Sequence, residues 1–185
     1  MYRDNSLMPN EAIRLLALGL LAERPRHYAD LAGEVRHFTE RMVGPSLDLL
    51  AQPLELLKLE GLAESVEGEG MNDNALLQLT DSGHEEMRKL LSANMRAQVN
   101  DLNKLIVAIK VRFLHLLPLE EQKSQLDLLI EIFDRESVRL NDLRSYQDAE
   151  ASALSDWLDL EIAQSRSRLT WFEDMRERLE SRSES

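Results

Sequence analysis

Apolar positions recur at three- and four-residue steps along most of this chain, and that period predicts helices. Ile13, Leu16, Ala17, Leu20 and Leu21 share one face of EAIRLLALGLLAE, with Asn10 as the expected N-cap and Arg24-Pro25 as the stop. Tyr28, Leu31, Val35, Phe38 and Met42 repeat the pattern through a second helix, which Gly44-Pro45 breaks. Leu47, Leu50, Leu54 and Leu57 define a third. Pro53 falls within that run, and an interior proline costs about 3 kcal/mol. A start near Leu49 or Leu50 moves it into the first turn, where no backbone donor is lost. Gly61 stops the helix. The period then changes: Leu62 to Val66 and Ala75 to Leu79 read as short strands around the turn-rich EGEGMNDN. Thr80 is a good N-cap for the next helix, with Asp81, Glu85 and Glu86 near its positive end.

The second half is helical throughout. The helix from Thr80 is expected to break near Ser92 to Asn94 and to resume through LIVAIKVRFLHLL as far as Pro118. Leu126, Leu129, Ile130 and Phe133 mark a helix opening at Leu119. After a polar link, Leu158, Ile162, Ser165, Leu169, Phe172, Arg176 and Leu179 alternate steps of four and three, which makes a seam of coiled-coil type. The pattern as a whole predicts a mainly α protein. An N-terminal winged helix-turn-helix with a small β-hairpin wing takes residues 1–92, and a C-terminal α-helical dimerisation domain takes residues 93–185. The apolar stripe of the last helix needs cover, from its own chain or from a second copy. Homodimerisation is the expectation, through Trp157, Leu158, Ile162, Leu169, Trp171, Phe172 and Leu179.

Composition narrows the function. The 185 residues contain no cysteine, which excludes disulfides and thiolate metal sites. No apolar run has the roughly 18 residues of a membrane span, and no signal-peptide pattern opens the chain, so no membrane association and a cytoplasmic location are expected. The four histidines are widely spaced, with no HExxH, and no Gly-rich phosphate loop follows a strand. No catalytic residue, metal or cofactor is expected, and the chain does not read as an enzyme. The net charge is −12, with a pI near 4.8. The first 90 residues hold 9 Lys and Arg against 16 Asp and Glu, so the acidity is not confined to the helical half.

Four stretches carry a resemblance. IRLLALGLLAERPRHYADL, LELLKLEGLAES, LQLTDSG, and IVAIKVRFLHLLPLEEQKSQL with RSRLTWFEDMRERL resemble, in this order, the PadR-like transcriptional regulators. Leu57, Glu60, Gly61 and Leu62 fit that family's Leu-x-x-Glu-Gly-Leu. LQLTDSG is similar to its Leu-Thr-x-x-Gly after the wing, and Trp171 sits at a recurrent aromatic position of the last helix. The resemblance implies a winged-helix dimer on a pseudo-palindromic DNA operator. It differs where Ala51 stands at the family's Tyr register, where Glu55 and Leu56 stand at basic positions, and in a wing with Glu67, Glu69 and Asp73 but no base.

Double-stranded DNA is thus the expected partner. The candidates for reading it are Arg24, Arg26, His27, Arg36, Arg41, Ser46, Gln52 and Lys58: arginines for phosphates, Ser46 and Gln52 for base edges or phosphates. Trp157, Trp171 and Phe172 offer flat apolar surface for a small aromatic effector where subunits meet. An acidic module that binds a protein in place of DNA is the alternative, with Leu49 and Leu56 as its contact residues.

Overall fold

In a computed structural model, the described residues are 7–43, 53–68, 74–95, 101–146 and 153–183. They fall into two compact units, one reaching Met95 and including 101–116, the other from Leu117 onward. The first unit runs α1 (Pro9–Glu23), β1 (Arg26–His27), α2 (Tyr28–Val43), α3 (Pro53–Leu59), β2 (Ala63–Glu67), β3 (Leu76–Leu79), α4 (Asp81–Ser92) and α5 (Asp101–Phe113). The second holds α6 (Leu119–Tyr146) and α7 (Ala153–Ser183). The winged-helix order expected from the sequence is present, with a helical C-terminal part after it. The break expected near Ser92 is where α4 ends. Helix α5 lies in the first unit, whereas the sequence pattern groups it with the C-terminal helices.

Helix α1 is the hub of the first unit. Ala12, Ile13, Leu15, Leu16, Ala17, Leu18, Leu20 and Leu21 are all buried, so it is apolar on every side, as a helix surrounded by others must be. It touches α2, α3, β3, α4 and α5. Gly19 admits the α5 ring of Phe113: a Cβ there would lie 2.5 Å from a ring carbon. The helix starts at Pro9, one residue before the expected cap Asn10. Proline at the first helical position gives up no donor, and the Glu11 carboxylate accepts from the Met8 N–H at 2.7 Å.

The family-like motifs have local physical causes. Gly61 adopts φ +73° and ends α3, while the Leu62 N–H bonds back to the Leu57 carbonyl at 2.8 Å. Glu60 pairs with Arg14 of α1 at 2.9 Å. Thr80 caps α4 by accepting from the Gly83 N–H at 3.0 Å, and its hydroxyl donates to the Gly61 carbonyl at 2.7 Å. Gly83 is fixed by space, because a Cβ would sit 2.1 Å from the Leu62 carbonyl oxygen. One junction of four residues, Gly61, Leu62, Thr80 and Gly83, thus joins the end of α3, the start of β2 and the start of α4.

The sheet has the order β1-β3-β2 and is antiparallel throughout. Strand β1 is too short to leave a periodic signal and is not foreseen in the sequence. It pairs Arg26 with Leu77 and His27 with Leu76. Strand β2 pairs Ala63 with Leu79 and carries an irregularity between Ser65 and Glu67.

The second unit is an antiparallel helix pair. Its polarity is marked at both ends: Arg144 bonds Asp159 at 3.0 Å, and Arg176 bonds Asp127 at 2.9 Å. Along the seam, Phe133 stacks on Phe172 with centroids 5.5 Å apart, and Leu140 clusters with Leu158 and Ile162. Ser137 and Ser165 share a buried hydrogen bond of 3.0 Å in the middle. The heptad-like face of α7 is therefore covered by α6 of the same chain.

Candidate nucleic-acid interface

Helix α2 carries two exposed arginines, Arg36 and Arg41. Its N-terminus is held from a distance of 45 residues in sequence. Asn74, just before β3, takes a left-handed φ of 52°, and its side-chain oxygen accepts from the Ala29 N–H at 2.9 Å. Its main-chain oxygen accepts from His27 Nδ1 at 2.9 Å, and the neighbouring Ala75 carbonyl accepts from the Tyr28 N–H at 3.0 Å. The return strand of the wing thereby fixes where α2 begins. Burial, and after it the Glu55 carboxylate, raise the Tyr28 phenol above its ordinary range, so it stays a neutral donor.

The eight DNA candidates part company in the structure. Arg26 is only 7% exposed. Its Nε donates to the Leu20 carbonyl at 2.9 Å, one terminal nitrogen bonds Glu23 at 3.0 Å and the other bonds Glu34. With its fork engaged on three sides by its own chain, Arg26 is a corner clamp between α1 and α2 and not an exposed cation. Arg24, His27, Arg36, Arg41 and Lys58 are exposed. Ser46 and Gln52 lie outside the described residues, as do Leu49, Ala51 and the expected start of the recognition helix.

Arg36 and Arg41 are five residues apart on α2, which turns their side chains about 140° from one another. They form two flanks and not one strip. Around α3 the surface is mixed: Lys58 stands beside exposed Glu55 and Leu56, and Leu59 is 83% exposed. At the wing base Glu64 accepts from Gln78 at 2.6 Å, and Glu67 is exposed. Glu69 and Asp73 lie outside the described residues. Asn74 and Glu34, which set the geometry of this face, are not among the sequence candidates. An isolated Asn after a wing carries no signal distinguishing a distant cap from a simple turn.

A family model described as "Putative AphA-like transcriptional regulator" matches residues 2–176. The chain belongs to this AphA-like family. Its PadR-like organisation, a winged helix-turn-helix followed by a helical C-terminal part, is the one the motifs imply. Among solved structures, it is similar to the PadR-like transcriptional regulator BC1756 from Bacillus cereus, at 17% identity over 92% of this chain and 99% of that one, with a TM-score of 0.38. It is similar to Bacillus subtilis PadR in complex with operator DNA, at 16% identity over 88% and 95%, TM-score 0.37. A third, smu.1604c from Streptococcus mutans UA159, gives 15% identity over 93% and 98%, TM-score 0.38. None of the curated proteins compared matches the chain.

The family is one of transcriptional regulators. Among the described residues no group of three or more His, Asp or Glu is placed to hold a metal ion. No helix among them is long and apolar enough to cross a membrane.

Of the seven residues expected at a dimer interface, Leu158, Ile162 and Phe172 are buried in their own chain's α6–α7 seam. Leu169 and Leu179 are partly covered. Trp157 and Trp171 remain 52% and 46% exposed. Trp171 meets Phe172 edge-on at 4.9 Å.

Proposed function

We propose that this family member is a dimeric cytoplasmic regulator that binds a pseudo-palindromic double-stranded DNA operator through its winged helix. One observation within the fold carries the reading. Among the described arginines of the first unit, Arg24, Arg36 and Arg41 alone have no ion pair, hydrogen bond or ring partner. They lie on α2 and the turn before it, in a chain of net charge −12 whose other arginines there are tied up. Unpaired arginine on the surface of an acidic protein is available to phosphate. The remote acids are screened within about 8 Å at physiological salt.

A dimer uses each arginine twice. Six phosphate contacts give a log affinity against log salt slope of roughly −5. Replacing Arg36 and Arg41 together by Ala is expected to flatten it by up to about 4 units and to weaken all DNA sequences alike. Gln52→Ala is expected to alter preference among sequences instead. Fluorescence anisotropy with genomic fragments flanking its own gene, across a salt series, measures both. Failure to bind any fragment more tightly than random DNA at low salt overturns the proposal.

Exposed Leu56 and Leu59 on α3 and Val66 on β2, flanked by Glu55 and Glu67, favour a second reading, an acidic module that docks on a protein. If no DNA is bound, Leu56→Asp and Leu59→Asp are the variants to test for loss of a captured partner.

A further inference from the structure

The antiparallel pairing of β1 with β3 does not stop where β1 ends. Within the sheet Arg26 faces Leu77 and His27 faces Leu76. One step on, the Tyr28 N–H donates to the Ala75 carbonyl at 3.0 Å. One step further, the Ala29 N–H donates to Asn74 at 2.9 Å, now to the side-chain oxygen. The register runs unbroken from Arg26 to Ala29, although Tyr28 and Ala29 already belong to α2. We propose that Asn74 is a positioning residue for DNA recognition. By bonding the first turn of α2 it fixes the return of the wing against that helix, so that wing and helix meet a specific site as one piece. This deepens the regulator reading above and rests on it.

The side chain does here what the main chain no longer can. At Tyr28 the backbone turns into a helix, whose first amides have no partner inside the helix. The Asn74 oxygen satisfies one of them as an N-cap would, from 45 positions downstream. The Asn74 main-chain oxygen accepts from His27 Nδ1 at 2.9 Å. One residue of the wing thus holds the chain on both sides of its turn from β1 into α2.

The backbone at Asn74 shows what the side chain adds. Its φ of +52° lies in the left-handed region, which glycine enters at no steric cost. The wing uses glycine for that conformation at Gly68, with φ +78°. A turn that needed only the backbone shape would be served as well by glycine at position 74. Asparagine tolerates the region and brings the accepting oxygen that glycine lacks.

The corner held in this way lies among the reading elements. Tyr28, between the two bonded residues, is close enough to α3 for the Glu55 carboxylate to act on its phenol. Arg26, the other residue of β1, is locked to Leu20, Glu23 and Glu34. Arg36 and Arg41 stand further along α2. Specific recognition needs such elements in one fixed arrangement, because phosphate contacts set the register in which bases are read. Non-specific attraction needs only charge. Asn74 is neutral, so it bears on the first and not on the second.

Fluorescence anisotropy on the full chain, with the tightest-binding genomic fragment and with random DNA, gives a specificity ratio. A loss of folded protein does not move that ratio, because both apparent affinities fall together. Asn74→Gly keeps the backbone shape and removes the oxygen. It is expected to lower the ratio about tenfold, with affinity and salt slope on random DNA unchanged. Asn74→Asp keeps an accepting oxygen and is expected to retain most of the ratio while binding all DNA more weakly. Thr80→Ala removes a capping oxygen from α4, a helix that carries none of the DNA candidates. It is expected to lower stability and leave the ratio unchanged. Without DNA, amide exchange at Ala29 is expected to be about tenfold faster in Asn74→Gly than in the wild type. A wild-type ratio in Asn74→Gly, a ratio in Asn74→Asp as low as that of the glycine variant, an equal fall in Thr80→Ala, or unchanged exchange at Ala29 overturns the role. If the wild type prefers no fragment to random DNA, the regulator reading fails and the positioning role falls with it. If the wild type is selective and Asn74→Gly equally so, the regulator reading stands and the positioning role alone falls.

Discussion

At the scale of single residues, burial decides what a charge is for. Arg26 and Arg24 are two positions apart and look equivalent in sequence, yet one is enclosed and the other free. Arg26→Ala removes three donors and leaves the Leu20 carbonyl without its side-chain partner. A loss of about 2–3 kcal/mol is expected by denaturant unfolding, with the DNA salt slope unchanged. A flattened slope would return Arg26 to the phosphate contacts. Lys110 is the other enclosed cation. Fully buried on α5, it donates to the Leu91 and Ala93 carbonyls, each at 2.6 Å, at the C-terminal end of α4. Burial lowers its pKa from the ordinary 10.5 to about 7. Between those values the unfolded chain holds the extra proton, so this group's contribution to stability rises as pH climbs from about 7 toward 10.5 and is smallest below 7. Melting curves from pH 7 to 9 are expected to climb more steeply for the wild type than for Lys110→Met. Neither role is legible in sequence, because what encloses both residues is tertiary: Leu20, Glu23 and Glu34 for one, the end of α4 for the other.

At the scale of elements, the sequence is most legible where causes are local. Thr80 reads as a cap and is one. Gly61 reads as a stop and has the positive φ that a stop requires. The Leu-Thr-x-x-Gly motif is local in the same sense, although the reason for its glycine is the Leu62 carbonyl across the junction. Gly83→Ala is expected to force α4 away from β2 and to cost about 2–3 kcal/mol, whereas Gly33→Ala is expected to stabilise by up to about 1 kcal/mol. Thermal unfolding of the pair checks the contrast, and equal effects would contradict the packing described at Gly83. Strand β1 escaped because two residues cannot show a period. The start of α1 moved because Glu11 and Pro9 together define an N-terminus where Asn10 alone suggests another.

At the scale of the whole molecule, a heptad pattern shows that a helix needs cover but not whose surface supplies it. On α7 the buried positions Leu158, Ile162, Ser165 and Phe172 face α6. Trp157, Leu160 and Trp171 form a second stripe roughly 130° around the helix. The two tryptophans are two heptads apart, about 21 Å along the axis. If the dimer forms on this outer stripe, Trp157→Glu with Trp171→Glu yields a folded monomer in light scattering, with helicity retained. Phe172→Ala instead is expected to cost about 3–4 kcal/mol of stability and to leave the dimer mass intact. A double variant that stays dimeric places the interface elsewhere. Membership of α5 in the first unit was hidden for a related reason: its apolar face is plain in sequence, but its partners α1 and α2 lie more than 50 positions upstream.

The closure of α6 on α7 within one chain bears on inheritance. A subunit that completes its own helix pair arrives at its partner already shaped, so pairing requires no unfolding and copies can be traded between assemblies. If the outer stripe is the dimer surface, a copy with a ruined reading head would still be accepted as a partner. On the proposed reading of a two-part operator, each mixed pair would present one working half. Such an allele would act dominantly when expressed beside the normal one, whereas an allele that destroys the Phe133–Phe172 stack would be removed by degradation and act as a simple loss.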